Sequence, residues 1–218
     1  RAVFEYRGEI ITVPGKKGDI RNLTGTPGIH ERHPVWSPDG KSIAYFSDAS
    51  GEYQLHVIPQ DGKGKAKAFK ITGHGFYAFP VWSPDGKKIA YFDNSKSVYW
   101  INLQTGVSKK IGSDAIYEPG EFPFYRVSWS PDSRWIAYTL NNKAMFRSVY
   151  IYSIDKDKAY PVSDGLSEAA EPVFDPSGKY LFRDFTRIAR ENGGGYVRYM
   201  WQWKDDPERI VPKISYIE

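Results

Sequence analysis

Four histidines offer the widest choice of chemistry in this sequence, and two of them stand three positions apart. The spacing of His30 and His33 could bring two imidazoles to one metal ion. The sequence has no cysteine, and no dense group of carboxylates accompanies the pair, so we expect no metal site. The absence of cysteine also excludes disulfides and a thiol nucleophile.

Three aspartates recur in the same context, each after a Ser-Pro pair. Because Asp39, Asp85 and Asp132 repeat, they are interpreted as turn formers and not as catalytic acids. The sequence contains no Gly-x-Ser-x-Gly elbow, phosphate loop or dinucleotide fingerprint. We therefore predict no catalytic residue and no cofactor.

Another set of candidates lies just before, or at the start of, a recurring apolar strand pattern. Loop side chains placed there in repeated units could together line a pore mouth that binds a peptide or protein. They are Arg32, His33, His74, Tyr77, Phe79, Tyr125 and Arg126. For His74, between two glycines, a role in the turn is the stronger expectation.

The elements that must position these residues follow from an internal repeat. Trp36, Trp82, Trp129 and Phe174 each end a short strand pattern and precede a Pro-containing turn, with steps of 46, 47 and 45 residues. The next strand is an almost wholly apolar Ile-Ala-Tyr-Phe type, typical of a strand covered on both faces. This period predicts an all-β fold of four-stranded antiparallel β-propeller blades.

The repeat count predicts three complete units flanked by two partial ones. The first unit lacks its first strand, and the last shows its first two strands to about Arg183. The partial units could pair into one blade of a small ring, or the ring could be incomplete. In the second case, unpaired blade edges are expected to drive oligomerisation.

These units resemble the repeats of the TolB family and of tricorn-type proteases, on the Trp-Ser-Pro-Asp-Gly-Lys signature and the Ile-Ala-Tyr strand. Residues 1–62 look especially like the N-terminal propeller of bacterial tricorn-like serine peptidases. The resemblance covers residues 1–183 and implies a non-catalytic domain that gates or binds peptides, with the nucleophile in later domains. It favours a periplasmic or other extracytoplasmic location, with the cytoplasm as the alternative.

The tail, residues 184–218, follows a different pattern. Asp184–Asn192 is predicted to be a short amphipathic helix, followed by strands near Tyr196–Trp201 and Lys213–Ile217. The phrase Gly193-Gly194-Gly195-Tyr196 and its continuation resemble part of a single Cache domain, which implies small-molecule sensing as an alternative function. The resemblance implies that Arg198, Tyr199 and Trp201 contact the ligand. The competing interpretation is that these side chains only pack across a hairpin.

The bulk composition restricts the partners further. The net charge of +4 is small and spread along the 218 residues, so no nucleic-acid surface is predicted. No apolar run approaches the roughly 20 residues that a membrane-spanning helix needs. The first residues do not read as a signal peptide.

Overall fold

The computed structural model describes residues 1–73, 75–115, 127–163, 165, 168–185, 197–202 and 211–214. Over these residues the protein is all-β, with nineteen strands in five sheets. The first sheet contains β1 (Ala2–Tyr6), β2 (Glu9–Val13) and β3 (Arg21–Asn22). The second contains β4 (Glu31–Trp36), β5 (Ser42–Ser47), β6 (Gln54–Pro59) and β7 (Lys67–Phe69). The third contains β8 (Tyr77–Trp82), β9 (Lys88–Asp93), β10 (Ser97–Asn102) and β11 (Ser108–Ser113).

The two remaining sheets follow the same chain order. The fourth contains β12 (Ser128–Trp129), β13 (Trp135–Asn141), β14 (Arg147–Ser153) and β15 (Lys158–Pro161). The fifth contains β16 (Ala170–Phe174), β17 (Tyr180–Phe185), β18 (Val197–Gln202) and β19 (Val211–Ile214). In every sheet the strands lie side by side in sequence order, so the predicted four-stranded antiparallel units are confirmed.

The last unit differs from its prediction. Sequence patterns gave it two strands, but β18 pairs with β17 from Phe185↔Val197 to Tyr180↔Gln202, and β19 pairs with β18. The tail strands were therefore predicted correctly, and they continue the fifth sheet. The predicted helix over Asp184–Asn192 is wrong at its first two residues, which belong to β17, and residues 186–192 lie outside the described part of the chain.

The Ser-Pro-Asp-Gly turns explain why the first two strands of each unit are so close in sequence. The Ser37 hydroxyl donates to Asp39 at 2.7 Å and accepts the amide N–H of Ser42 at 2.9 Å. Asp39 also accepts the amide of Lys41 at 3.0 Å, and Gly40 takes φ 67°, which costs glycine little. The second and third copies have the same bonds, so the recurring aspartates are turn formers as predicted.

The fourth copy exchanges the two polar residues of the turn. Asp175 stands at the serine position and Ser177 at the aspartate position. Asp175 accepts the amide of Tyr180 at 2.7 Å and the amide and hydroxyl of Ser177. The same turn is therefore held by a carboxylate and a hydroxyl in either order.

The chain divides into two compact units, each described by itself. The first comprises Arg1–Asn94 and Tyr99–Lys110, and the second Ser95–Val98 and Ile111–Glu218. In the described part of either unit, no helix is long and apolar enough to cross a membrane.

The core of the first unit consists of two layers of side chains between sheets. Alternate residues of β5 point to opposite faces. Ile43 and Tyr45 pack on Ile10 and Leu23 of the first sheet, whereas Ala44 and Phe46 pack on the third sheet. All four β5 side chains are at most 2% exposed, as their apolar run predicts.

The second unit has a core of the same kind. Trp135 and Ala137 of β13 pack with Val149 and Ile151 of β14 and with residues of the fifth sheet. These are Phe174 and Leu181 of the fifth sheet, together with Ala169, which directly precedes β16. Burying each large apolar side chain contributes about 1.5–3 kcal/mol, so these layers dominate the stability of both units.

Candidate functional site

The site begins at an irregularity in the first strand of several sheets. The pairing register shifts between Arg32 and Val35 in β4, and between Ala78 and Val81 in β8. Within each bulge one residue has left-handed backbone, His33 with φ 53° and Phe79 with φ 54°. Bulges redirect side chains, and a proline after each bulged residue is tolerated because the ladder is already interrupted.

The two bulges bring their side chains together within the first unit. The rings of His33 and Phe79 lie with their centroids 5.4 Å apart. A β16 bulge in the second unit has the same form, with Glu171 at φ 53°. The bulge therefore recurs in all three strands, although the residue at the bulged position differs between them.

Charged groups of two sheets meet beside this ring pair. Glu5 of β1 accepts the amide of His33 at 3.0 Å, and its other carboxylate oxygen lies 3.8 Å from Nε of Arg32. Arg32 Nε is buried and makes no hydrogen bond within the described residues. About a third of the Arg32 side chain remains exposed, and its guanidinium also interacts with the side chain of Tyr53.

A tyrosine with two aromatic or imidazole neighbours extends the site. The Tyr53 hydroxyl lies 2.8 Å from Nδ1 of His30, and its ring centroid lies 5.4 Å from that of Phe76. The His30 amide donates to Asp48 at 2.7 Å, which fixes this loop to the end of β5. Phe76 is 49% exposed, so an aromatic face is available to a ligand. We call this group the bulge cluster, defined as Glu5, His30, Arg32, His33, Tyr53, Phe76 and Phe79.

The ionisation of the cluster follows from burial and neighbouring charge. Burial lowers the pKa of His33, and the adjacent Arg32 lowers it further, while Glu5 acts in the opposite direction. Burial also raises the pKa of Tyr53, with Asp48 adding to the effect. At neutral pH the His33 imidazole and the Tyr53 phenol are both uncharged, whereas the Arg32 guanidinium beside them carries a positive charge.

A cleft of about 560 Å³ adjoins the cluster and shares Tyr53 with it. Thr72 bridges its walls, since its amide donates to the Ser108 hydroxyl at 3.2 Å and its hydroxyl to the Ser108 carbonyl at 3.1 Å. Tyr77 lines the cleft and donates to the Thr72 carbonyl at 3.3 Å. Burial and the nearby Asp93 and Glu52 raise the pKa of Tyr77 to about 12.

A second cleft, of about 330 Å³, is lined by the turn residues of the same unit. Phe69 and Trp82 form part of its lining, together with Asp39 and Asp85. Both carboxylates already accept bonds within their own turns. The bulge cluster, with its partly exposed guanidinium, is therefore the stronger candidate for a binding site.

The structure brings together only some of the residues predicted from sequence. Arg32, His33 and Phe79 belong to the cluster, and Tyr77 is a largely buried wall residue of the adjoining cleft. His74, Tyr125 and Arg126 lie outside the described residues. Arg198, Tyr199 and Trp201 are in β18, opposite Asp184, Arg183 and Leu181 of β17.

Sequence reasoning missed Glu5, Tyr53 and Phe76. Glu5 lies in the first, partial unit, in which no candidate residue was predicted, and Phe76 has no aromatic counterpart one blade period away in either direction. The signal that could have found Glu5 is its charge in a strand type that is otherwise apolar, since such a carboxylate needs a partner.

Five sheets of this kind and the repeated bulged first strand define a protein built of β-propeller blades. The chain belongs to the family described as the tricorn protease second beta-propeller domain, which matches residues 1–186. Both the TolB-like and the tricorn-like character of the repeats are thereby confirmed at the level of the fold.

Solved structures of related fold agree with this assignment. The match to the tricorn protease covers 99% of this chain and 22% of the tricorn protease chain, with 16% identity and a TM-score of 0.72. TolB from Acinetobacter baumannii matches over 95% of this chain and 48% of its own, with 17% identity and a TM-score of 0.57. The match to the propeller domain of the Trilobed protease from Pyrococcus furiosus covers 87% of this chain and 58% of that domain's chain, with 14% identity and a TM-score of 0.53.

The chain thus spans less than two thirds of each of these proteins. The tricorn match extends over the tail strands as well as the repeats. None of these matches supports the resemblance of the tail to a Cache domain.

Proposed function

We propose that this protein is a non-catalytic propeller domain that binds peptides, or extended segments of partner proteins, at the bulge cluster. The observation that carries the proposal is Arg32, whose side chain is about a third exposed and whose contact with the Glu5 carboxylate is long, at 3.8 Å from Nε. A guanidinium binds a carboxylate through two parallel N–H donors, so it selects the carboxylate of a peptide.

The neighbours of Arg32 favour one kind of peptide. The Glu5 carboxylate oxygen at 3.8 Å is farther than in a hydrogen-bonded pair, so an incoming carboxylate can compete for the guanidinium. The exposed ring of Phe76 and the neutral His33 and Tyr53 offer apolar contact beside the charge. The expected ligand is a peptide with an apolar residue next to a free C-terminal carboxylate.

Fluorescence anisotropy with labelled peptides tests this proposal. A peptide with an apolar C-terminal residue and a free carboxylate should bind at least tenfold more tightly than its C-terminal amide. Arg32→Gln should abolish that difference. Arg134→Gln is the matched control, because Arg134 is also ion-paired, with Asp155 at 2.6 Å, and lies in a turn. Equal binding of the acid and the amide by the unaltered protein would refute carboxylate recognition.

We further infer that this domain serves as an accessory to a serine peptidase of the tricorn kind. Membership of the tricorn propeller family supports this inference, as does the absence of a recognisable nucleophile motif from the sequence. Affinity purification from the source cells should recover a serine peptidase, either as part of the same polypeptide or as a bound partner. Recovery of neither would contradict the accessory role while leaving peptide binding intact.

An extracytoplasmic location belongs to the same proposal, supported by the likeness to TolB. Cell fractionation should place the protein outside the cytoplasm. Recovery with cytoplasmic markers would count against this location.

A further inference from the structure

The cleft of about 560 Å³ continues the binding surface beyond the bulge cluster. Tyr53 belongs to both, and the centroid of its ring lies 5.4 Å from that of Phe76 in the cluster. The volume of the cleft lies within the roughly 300–1,000 Å³ that ligand pockets occupy. A peptide whose C-terminal residue sits at the cluster can therefore place a preceding side chain in the cleft.

The charges that act on one wall of the cleft are negative. Tyr77 forms part of this wall and is 4% exposed. Burial raises the pKa of its phenol to about 12, and the carboxylates of Asp93 and Glu52 add to the effect. Each carboxylate disfavours the phenolate through its own charge, so both lie close enough to act on a ligand in the cleft.

The two carboxylates differ in what they already bind. Asp93 is 6% exposed and accepts the hydroxyl of Tyr99 at 2.8 Å, so it contributes charge but is largely closed to a ligand. Glu52 is exposed and lines the cleft, and its side chain makes no hydrogen bond or ion pair with the residues that the structure describes. Glu52 is therefore the carboxylate within reach of a cationic ligand.

Lys70 also belongs to the lining of the cleft, but its charge is directed elsewhere. Phe69 and Ile71, on either side of it, are both buried in the core shared with the third sheet. Because these two side chains point to one face, alternation places the Lys70 side chain on the other. Among the described residues, the charges that shift the pKa of Tyr77 do not include that of Lys70. The negative charge in the cleft is therefore not neutralised by this lysine.

Two tyrosine rings add a second attraction for a cation. Tyr53 and Tyr77 both line the cleft. The face of a tyrosine ring attracts an ammonium or guanidinium group that lies within about 6 Å of its centroid. The aliphatic stem of lysine or arginine also packs on apolar surface while its charged end stays in water. The lining therefore fits a basic side chain better than an acidic one.

We propose that the cleft selects a lysine or arginine side chain in a peptide whose C-terminal carboxylate is bound at Arg32. The basic residue stands one or two positions before the apolar C-terminal residue. This spacing follows because Tyr53 is common to both sites and an extended chain advances roughly 3.3–3.6 Å per residue. The inference rests on the proposed function and names the class of peptide, which is basic, then apolar, then a free carboxylate.

Fluorescence anisotropy with matched peptides tests this preference. The peptides end in the same apolar residue and free carboxylate, and carry lysine, glutamine or glutamate at one of the two preceding positions. At the preferred position, the lysine peptide should bind at least fivefold more tightly than the glutamate peptide. Glu52→Gln should reduce this ratio at least threefold, and Glu52→Lys should invert it.

Asp61→Asn is the matched control. It removes the same charge from the turn after β6, whereas Glu52 precedes that strand. An asparagine oxygen can still accept the amide of Lys63, which Asp61 now accepts at 3.0 Å. The ratio between the lysine and glutamate peptides should be unchanged in this variant. Glu52→Gln should keep the difference between C-terminal acid and amide, which shows that its bulge cluster remains folded.

The outcomes separate this inference from carboxylate recognition. Equal binding of the lysine and glutamate peptides at both positions would overturn the basic preference and leave carboxylate recognition intact. A preference for lysine that survives in Glu52→Gln and Glu52→Lys would overturn the role of the cleft. Loss of the acid–amide difference alone would refute the carboxylate site and not the basic preference, whereas failure of every peptide to bind would overturn both.

Discussion

His33 and Phe79 lie with their rings 5.4 Å apart and share a left-handed backbone, although 46 residues separate them in the chain. For residues other than glycine this backbone costs roughly 1–2 kcal/mol. The cost recurs at the same position of the first strand in successive units, so it is part of the architecture. Its effect is to turn one side chain per unit out of the regular alternation of the strand.

The left-handed backbone at Phe79 predicts that a glycine substitution is tolerated better than an alanine substitution there. Both Phe79→Ala and Phe79→Gly lose the ring contact, but only glycine relieves the left-handed backbone. The glycine variant should be about 1 kcal/mol more stable than the alanine variant in urea denaturation. At Val57, a regularly paired position in β6, alanine should instead exceed glycine by roughly 0.5–1 kcal/mol. The same order at both sites would show that the left-handed backbone carries no strain.

A buried carboxylate gives a pH-dependent prediction. Glu31 is 2% exposed, and this burial raises its pKa above the usual 4.5. Hydrogen bonds from Thr24 and Thr26 lower the pKa, whereas the negative charges of Glu9 and Asp48 raise it, and the overall shift is upward. A raised pKa of a folded-state acid means that the folded protein binds the proton more tightly. Stability should therefore fall as the pH rises from 4.5 through the raised value, and then level off. Glu31→Gln should flatten this fall in thermal melts and stabilise the protein at pH 7.

Glu9→Gln is the matched control, with the opposite sign. Burial by itself raises the pKa of Glu9, but hydrogen bonds from Thr24, Thr26 and their loop outweigh burial and lower it overall. A lowered pKa contributes stability above the unfolded value that is lost in acid. Glu9→Gln should therefore destabilise the protein at pH 7. Destabilisation by both substitutions would argue that the Glu31 charge is stabilised in the folded state.

The exchanged turn predicts strong coupling between two positions. Ser83→Asp alone places two carboxylates side by side, and Asp85→Ser alone removes the acceptor of the Lys87 amide. The double variant recreates the Asp-Pro-Ser-Gly order of the fourth copy, in which Asp175 accepts both sets of bonds. A double-mutant cycle by urea denaturation should give a coupling energy of about 0.5–3 kcal/mol that favours the pair. Additive losses would show that the fourth copy depends on its own surroundings.

Truncation after Arg183 tests the role of the tail strands. β18 pairs with every residue of β17, so its removal leaves a long unpaired edge. The truncated protein should lose stability and aggregate, as followed by light scattering during a thermal ramp. If residues 184–218 instead form the independent segment that their sequence pattern predicted, the truncated protein would melt like the full chain.

Sequence periodicity predicted the blades well because each unit repeats both its turn chemistry and its apolar second strand. Trp36, Trp82 and Trp129 are enough to place the strands around them. The fifth sheet was harder, since no repeated residue marks β18 and β19. The partners of Arg32 could not be predicted for a different reason. The contact with Glu5 depends on packing between sheets, and no local pattern encodes which strand lies beside β4.

The exchanged turn also bears on how such chains are compared. Ser37 with Asp39, and Asp175 with Ser177, supply the same inventory of one hydroxyl and one carboxylate around a proline. A sequence motif that requires serine at the first position and aspartate at the third would miss the fourth copy. Selection can thus act on the two positions jointly, so the residues of two blades can differ at each position while the pair still forms the same turn.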